Sequence, residues 1–158
     1  MLLKLTTLTA ILPSILAANI TVTVGQNNGL TFTPAQITAA IGDVITFTVL
    51  SRDHSITTTN FAGTVCPPPD GGVGPNGFDS GLWVICLSIN YRIHMSTHSL
   101  SDLDGSQPNF RYTVVDAVPH FGACKQAAGG HCRAGMTFAI NPNSTFTYTQ
   151  FLANARAS

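Results

Sequence analysis

Short runs in which apolar and polar residues alternate make up most of the chain, and turn residues separate them. In the clearest run, 20–24, isoleucine and valine alternate with threonine before the turn cluster 25–29. A second regular run, 44–50, begins directly after Gly42 and Asp43. Alternation with a period of two predicts strands that bury one face. The pattern predicts seven strands in all: 20–24, 30–33, 44–50, 55–59, 110–115, 118–124 and 136–140.

The spacing of these runs predicts the fold class. Many short strands with turn signals roughly every 8 to 12 residues are typical of an antiparallel sandwich or barrel. The tail 145–155 is the segment that favours a short helix, with Ser144 as its N-cap. We therefore predict an all-β protein with a short C-terminal helix.

Composition and charge exclude several classes of protein. The 158 residues fit one domain, and the seven basic and seven acidic side chains cancel. All seven acids are aspartates, and charged residues make up only 9% of the chain. A helical bundle would need glutamate and lysine on its outer faces, and a nucleic-acid partner would need a basic surface. We therefore expect neither.

The first eighteen residues have the pattern of a secretory signal peptide. Lys4 lies in a short positive segment, residues 5–17 are mostly apolar, and Ala17 and Ala18 offer a cleavage point. We divide the chain into a leader, 1–18, and one domain, 19–158. No other apolar run predicts a transmembrane segment, and the chain lacks the Ser-rich tail and hydrophobic signal of a lipid anchor. The predicted location is secreted, extracellular or associated with the cell wall.

Secretion changes how the cysteines are interpreted. Disulfides persist outside the cell, so the four cysteines can form two bridges in any of three pairings. Two glycosylation sequons fit the same compartment, at Asn19 and at Asn143. Asn143 is the better candidate because Asn19 would stand at the new N-terminus. The cysteines are Cys66, Cys86, Cys124 and Cys132.

The residues best suited to chemistry lie close together near the C-terminus. A strand ends at Cys124, a glycine-containing loop carries His131, and the next strand starts at Met136. His54, at the end of a distant strand, can complete the set. One thiolate, two imidazoles and a weak thioether are the ligands of a blue-copper site, because they suit both Cu(I) and Cu(II).

Each of these residues also has a structural interpretation. Cys124 can form a disulfide with Cys132, which would leave no copper ligand. Met136 can be a methionine of the core that opens a strand. His54 can be a loop-end histidine bonded to the backbone.

The sequence resembles the cupredoxins, specifically small secreted fungal cupredoxin-like proteins with phytocyanin features. The resemblance implies a Greek-key antiparallel β-sandwich of about seven strands that binds one copper ion. It implies the ligands His54, Cys124, His131 and Met136, and a disulfide between Cys66 and Cys132. The segments that carry the resemblance are 20–25, 30–34, 42–47, 53–56, 77–81, 131–136 and 138–142.

One segment, 83–105, departs from this resemblance. Relatives have a shorter link there, and its irregular composition leads us to hypothesise an atypical insertion, a retained intron read through in frame. A genuine insertion would leave Cys86 as a free or dimerising thiol. We otherwise expect a monomer.

Other residues and functions are weaker candidates. His94 and His98 are predicted to lie in a solvated loop, and His120 to replace an aromatic residue on a strand. The chain lacks the N-terminal histidine of a polysaccharide monooxygenase, the His-x-His pairs of a laccase and the Gly-x-Ser-x-Gly motif of a hydrolase. We therefore predict that it is not an enzyme but a secreted copper protein for electron transfer or copper holding, with an unknown redox partner. The alternative is a metal-free interaction or structural protein of the cell wall or surface.

Overall fold

The computed structural model describes residues 16–51, 53–82 and 109–158. Most of the predicted leader lies outside these ranges, as does the predicted insertion with Cys86, His94 and His98. The described residues form eight strands, two short α-helices and one 3-10 turn. The strands are β1 Asn19–Val24, β2 Phe32–Thr33, β3 Gln36–Ile37, β4 Val44–Val49, β5 Thr57–Thr58, β6 Asn109–Thr113, β7 His120–Ala123 and β8 Thr137–Ile140; the helices are α1 Gly130–Arg133 and α2 Tyr148–Arg156, and the turn is Gln26–Asn28.

Two four-stranded sheets form the sandwich. Their strand orders are β2-β1-β4-β6 and β3-β8-β7-β5. The predicted β-sandwich is confirmed, but its strands are not all antiparallel: β1 pairs with β4 in parallel, and so does β3 with β8. Alternation could not reveal this because it reports which face of a strand is buried and not the direction of its partner.

Aromatic side chains fill the space between the two sheets. The ring of Phe47, from β4, lies 5.2 Å from that of Phe138 in β8, and Phe32 of β2 lies 4.9 Å from the same ring. Val22 and Val24 of β1 are fully buried in this cluster. The inward positions of the alternating pattern therefore form the core, as predicted.

A second, smaller apolar cluster lies on the outer side of β7 and β8, beneath α2. Phe151 of α2 is fully buried, and its ring lies 4.8 Å from that of Phe121 in β7. The predicted C-terminal helix is confirmed, but its N-cap is Thr147 rather than Ser144, since the Thr147 side chain accepts a hydrogen bond from the Gln150 N–H. None of the helices described is long and apolar enough to span a membrane.

Candidate metal centre

The predicted ligands are brought to one end of the sandwich by four different parts of the fold. His54 lies between β4 and β5, and Cys124 follows β7 directly. His131 belongs to α1, and Met136 immediately precedes β8. Because β7 and β8 are antiparallel neighbours, the Cys124 N–H reaches the Met136 carbonyl at 3.1 Å. The Met136 N–H in turn donates to the His131 carbonyl at 3.0 Å.

The side chains of His54, Cys124 and His131 converge. Cys124 Sγ lies 3.5 Å from Nδ1 of His131 and 3.7 Å from Nδ1 of His54. One ligand atom from each of the three residues lies within 4.8 Å of the others, and no second such cluster of His, Cys or acidic residues occurs among the described residues. His54, Cys124 and Met136 are fully buried, whereas His131 is half-buried. His131 is therefore the residue of this cluster that lies nearest to solvent.

Gly25 holds the His54 ring in place. A Cβ at this position would lie 2.7 Å from two atoms of the ring, and the backbone has a left-handed φ of +75°. Glycine adopts such a φ without steric cost, and its missing side chain lets the ring approach the backbone. Sequence reasoning took 25–29 only as a turn and missed this role.

The Cys124 thiol receives a hydrogen bond from the main chain. The Ser55 N–H donates to Cys124 Sγ at 3.4 Å, and the Ser55 hydroxyl accepts from the Lys125 N–H at 2.9 Å. Burial raises the pKa of the Cys124 thiol, and the hydrogen bond from Ser55 offsets part of this effect. A bound cation would compensate for the thiolate charge that burial disfavours.

Lys125, the residue after Cys124, belongs to an ion-pair network. Lys125 Nζ lies 2.6 Å from the carboxylate of Asp79, which is 10% exposed, and 2.7 Å from that of Asp70, which is 95% exposed. Asp79 also accepts hydrogen bonds from the Thr57 hydroxyl and from the N–H groups of Gly71 and Gly81. Lys125, which follows Cys124, is thus attached through Asp70 to the segment 66–77, which is rich in proline and glycine. No sequence signal marked these residues, because they meet only in the fold.

A disulfide anchors the helix that carries His131. Cys132, the next residue, is bonded to Cys66, the pairing that the resemblance implies, with Cα atoms 5.8 Å apart. The alternative Cys124–Cys132 bridge is therefore excluded, and Cys124 is the free cysteine of the described residues. Arg133 reinforces the link by donating to the Cys66 carbonyl at 3.3 Å.

The remaining candidates lie apart from this cluster. His120 is buried at the start of β7, four residues before Cys124, and its Nε2 lies 2.9 Å from the Asp116 carboxylate. The hydrogen bond with His120 is the largest cause of the lowered pKa of Asp116. Asn19 and Asn143 are both exposed, and Asn143 Oδ1 accepts hydrogen bonds from the N–H groups of Thr145 and Phe146.

The donor set fits copper. A thiolate and a thioether favour Cu(I), whereas two imidazoles also suit Cu(II), so the same four residues can hold both oxidation states. The N–H of Ser55 holds the Cys124 sulfur, and main-chain bonds join the backbone of Met136 to those of Cys124 and His131.

Comparison with known proteins gives one curated relative. No family model matches the chain. A protein of Arthroderma benhamiae described as "Probable GPI-anchored cupredoxin-1" is 29% identical over 143 residues, which cover 88% of this chain and 61% of that protein. The chain thus spans about three fifths of the curated relative that it matches.

Three solved structures to which the chain is similar are blue copper proteins or their relatives by name, with low identity and TM-scores below 0.5. Auracyanin B superposes with a TM-score of 0.46 and 14% identity over 82% of this chain and 91% of that one. A mutant plastocyanin of fern superposes with a TM-score of 0.46 and 19% identity over 76% of this chain and 96% of that one. A pseudoazurin from Methylobacterium extorquens AM1 superposes with a TM-score of 0.44 and 14% identity over 89% of this chain and 85% of that one.

Proposed function

We propose that this cupredoxin-like chain is a secreted copper protein that holds one ion with His54, Cys124, His131 and Met136. The observation that carries the proposal is the convergence of one thiol and two imidazole nitrogens at a buried point. Bound copper would supply one-electron chemistry between Cu(I) and Cu(II). Four protein ligands leave no open position for a substrate, which favours electron transfer or copper holding over catalysis.

The protein's own residues would keep the site rigid during electron transfer. Gly25 and the disulfide-anchored α1 restrain the two histidines. Ser55 orients the thiolate and shares its charge through a hydrogen bond. A site whose ligands barely move needs little reorganisation when the metal changes its charge.

An extracellular or cell-surface location suits the same features. The predicted leader 1–18 directs the chain to secretion, and a disulfide is stable in that oxidising environment. The curated relative is described as GPI-anchored, so a cell-surface location is part of this proposal. The exposed Asn143 is the glycosylation site that we propose, with Asn19 as the second candidate.

Copper loading tests the function directly. The secreted protein is loaded with Cu(II), and we expect an intense blue thiolate-to-copper absorption that Cys124→Ser abolishes. The matched control is Cys86→Ser, which removes the other cysteine outside the disulfide and should retain the colour. No colour in correctly disulfide-bonded protein would instead support the metal-free interaction protein. Zinc binding without colour on Cu(II) addition would also contradict the proposal, because a Cys–His–His cluster can hold zinc.

A further inference from the structure

The carboxylate of Asp43 is a buried acceptor at the edge of the parallel β1–β4 pair. Asp43 is only 8% exposed. Its Oδ2 accepts from the Ala40 N–H at 2.8 Å, and its Oδ1 accepts from the Ala18 N–H at 2.7 Å. These two bonds lower the pKa of Asp43, so the group is a carboxylate at neutral pH. The copper site uses none of these groups.

Ala18 is where the chain first joins the sheet. Its carbonyl accepts from the Val44 N–H at 2.8 Å, so both polar groups of its backbone are bonded to the residues that open β4. Ala18 itself is exposed, as are Ala17 and Leu16, and the Leu16 side chain is 92% exposed. The main-chain hydrogen bonds of the described residues begin at Ala18 and not before it.

Two cleavage points remain open on sequence alone, because each puts an alanine before the cut bond. A cut after Ala18 would remove the partner of Asp43 Oδ1 and the acceptor of the Val44 N–H together. Both groups would then lose these intramolecular partners, and the chain would join the sheet only from Asn19 onwards. A cut after Ala17 would keep both bonds and convert the neutral donor at Asp43 into an ammonium group.

We propose that the leader is removed by cleavage of the Ala17–Ala18 peptide bond, one residue before the boundary predicted from the sequence, and that Asp43 binds the α-ammonium group of the new N-terminus. In this hydrolysis a signal-peptidase-type protease adds water across the bond. Ala17 leaves with the new carboxylate, and Ala18 keeps the nitrogen, which is protonated at neutral pH. The mature N-terminus is then held at the start of β1 by a charge-assisted hydrogen bond, which is stronger than that from a neutral N–H.

The position of the cut is tested on the secreted protein. The full chain is expressed in a eukaryotic secretory host, and the N-terminus of the product is read by sequencing and intact mass. We expect Ala18-Asn19-Ile20. A product that begins at Asn19 or at any other residue, or one that retains Met1, overturns the proposal. Because the measurement involves no metal, its result is independent of whether the copper site forms.

The role of Asp43 is tested by amine labelling. After the proposed cut the protein has two amines, the α-amine and Lys125, since Lys4 leaves with the leader. Pairing with a carboxylate raises an α-amine pKa above its usual value of about 7.7–8.0, and each unit slows labelling near pH 7 about tenfold. We expect Asp43→Asn to speed α-amine labelling severalfold while Lys125 is unaffected. Equal rates in the wild type and in Asp43→Asn would refute the pairing, and the rate at Lys125 in the same samples is the internal control.

Discussion

The main-chain N–H of Ser55 points at Cys124 Sγ across 3.4 Å, although the two residues are 69 positions apart in the chain. The same serine uses its hydroxyl to accept from the N–H of Lys125, which follows the thiol. One residue next to the first histidine thus fixes both the sulfur and the backbone beside it. The position of the thiol is therefore set from two directions.

Replacing Ser55 by alanine tests this arrangement. Ser55→Ala keeps the N–H that reaches the sulfur but leaves the Lys125 N–H without its acceptor. We expect a loss of about 1–3 kcal/mol in the free energy of unfolding of the apoprotein, measured by urea denaturation. Ser144→Ala, at an exposed position, should change it little. An unchanged unfolding midpoint for Ser55→Ala would show that the hydroxyl contributes nothing.

Gly25 offers a test of how tightly His54 is held. In Gly25→Ala the new Cβ would overlap the His54 ring at 2.7 Å, so the ring must move. We expect copper affinity, measured by competition with a chelator, to fall about 10–100-fold, the usual effect of removing support from a ligand.

Gly63→Ala is the matched control for this change. Gly63 also has a left-handed φ, +78°, but a Cβ there meets nothing within 4 Å. Both variants carry the same backbone strain, so they differ in the steric contacts of the new Cβ, which at position 25 meets the His54 ring and Ser51 Oγ at 2.7 Å. Equal affinities in the two variants would contradict the role given to Gly25.

The Cys66–Cys132 disulfide should contribute strongly to stability. It closes a loop with a sequence separation of 66 residues, for which chain entropy predicts about 4 kcal/mol. We expect the double variant Cys66→Ala, Cys132→Ala to lose that much and to bind copper more weakly, since α1 is no longer anchored. Urea unfolding and copper titration measure the two effects. Cys86→Ser is the control for loss of a cysteine, and full copper affinity in the double variant would show that His131 needs no anchor.

The loss of folding stability at acid pH should depend on Asp79. Burial alone would raise its pKa, but the hydrogen bonds from Lys125, Gly81, Thr57 and Gly71 outweigh burial and lower the pKa below 3.8. The unfolded chain therefore binds a proton at higher pH than the folded one, and the stability from this group is lost as pH falls below about 4 through the folded value.

Thermal unfolding of the apoprotein between pH 2 and 7 measures this dependence. We expect Asp79→Asn to be less stable at pH 7 and to lose less stability on acidification than the wild type. Asp70→Asn removes the exposed partner of the same lysine and should have a small effect, because exposed ion pairs contribute about 0–1 kcal/mol. If the wild type and Asp79→Asn lost the same stability between pH 7 and pH 2, the role given to Asp79 would be contradicted.

The start of the C-terminal helix gives a local test. Thr147→Ala removes the side chain that accepts from the Gln150 N–H, and we expect a loss of about 0.5–2 kcal/mol. Ser144→Ala should be close to neutral, although the sequence pattern favoured it as the cap. The opposite ranking in urea unfolding would mean that the helix begins three residues earlier.

The sequence predicted the features that depend on local pattern. Strands such as β1 and β4 were visible because their alternation is regular over six residues. The strand β3 was missed because it has only two residues, too few to show alternation. The helix α1 was missed because its four residues, which begin at Gly130, give no helical pattern. The parallel pairings were hidden because side-chain alternation is the same in either direction.

The candidate site divides in the same way. Its four proposed ligands were found because their residue types and chain order are distinctive. Their supports, Gly25, Ser55 and Asp79, are ordinary turn, loop and surface residue types in the sequence. Only the packing of distant segments gives them a role, so no single stretch of sequence could mark them.

The adjacency of His131 and Cys132 has a consequence for the order of maturation. A reduced chain would present three thiols near the site, and those of Cys66 and Cys132 would compete with Cys124 for a thiophilic ion. Once Cys66 and Cys132 are oxidised to the disulfide, Cys124 is the one thiol left among the described residues. The oxidising compartment thus selects the ligand: a chain that acquired copper before its disulfide formed would be exposed to misloading, and one oxidised first would not.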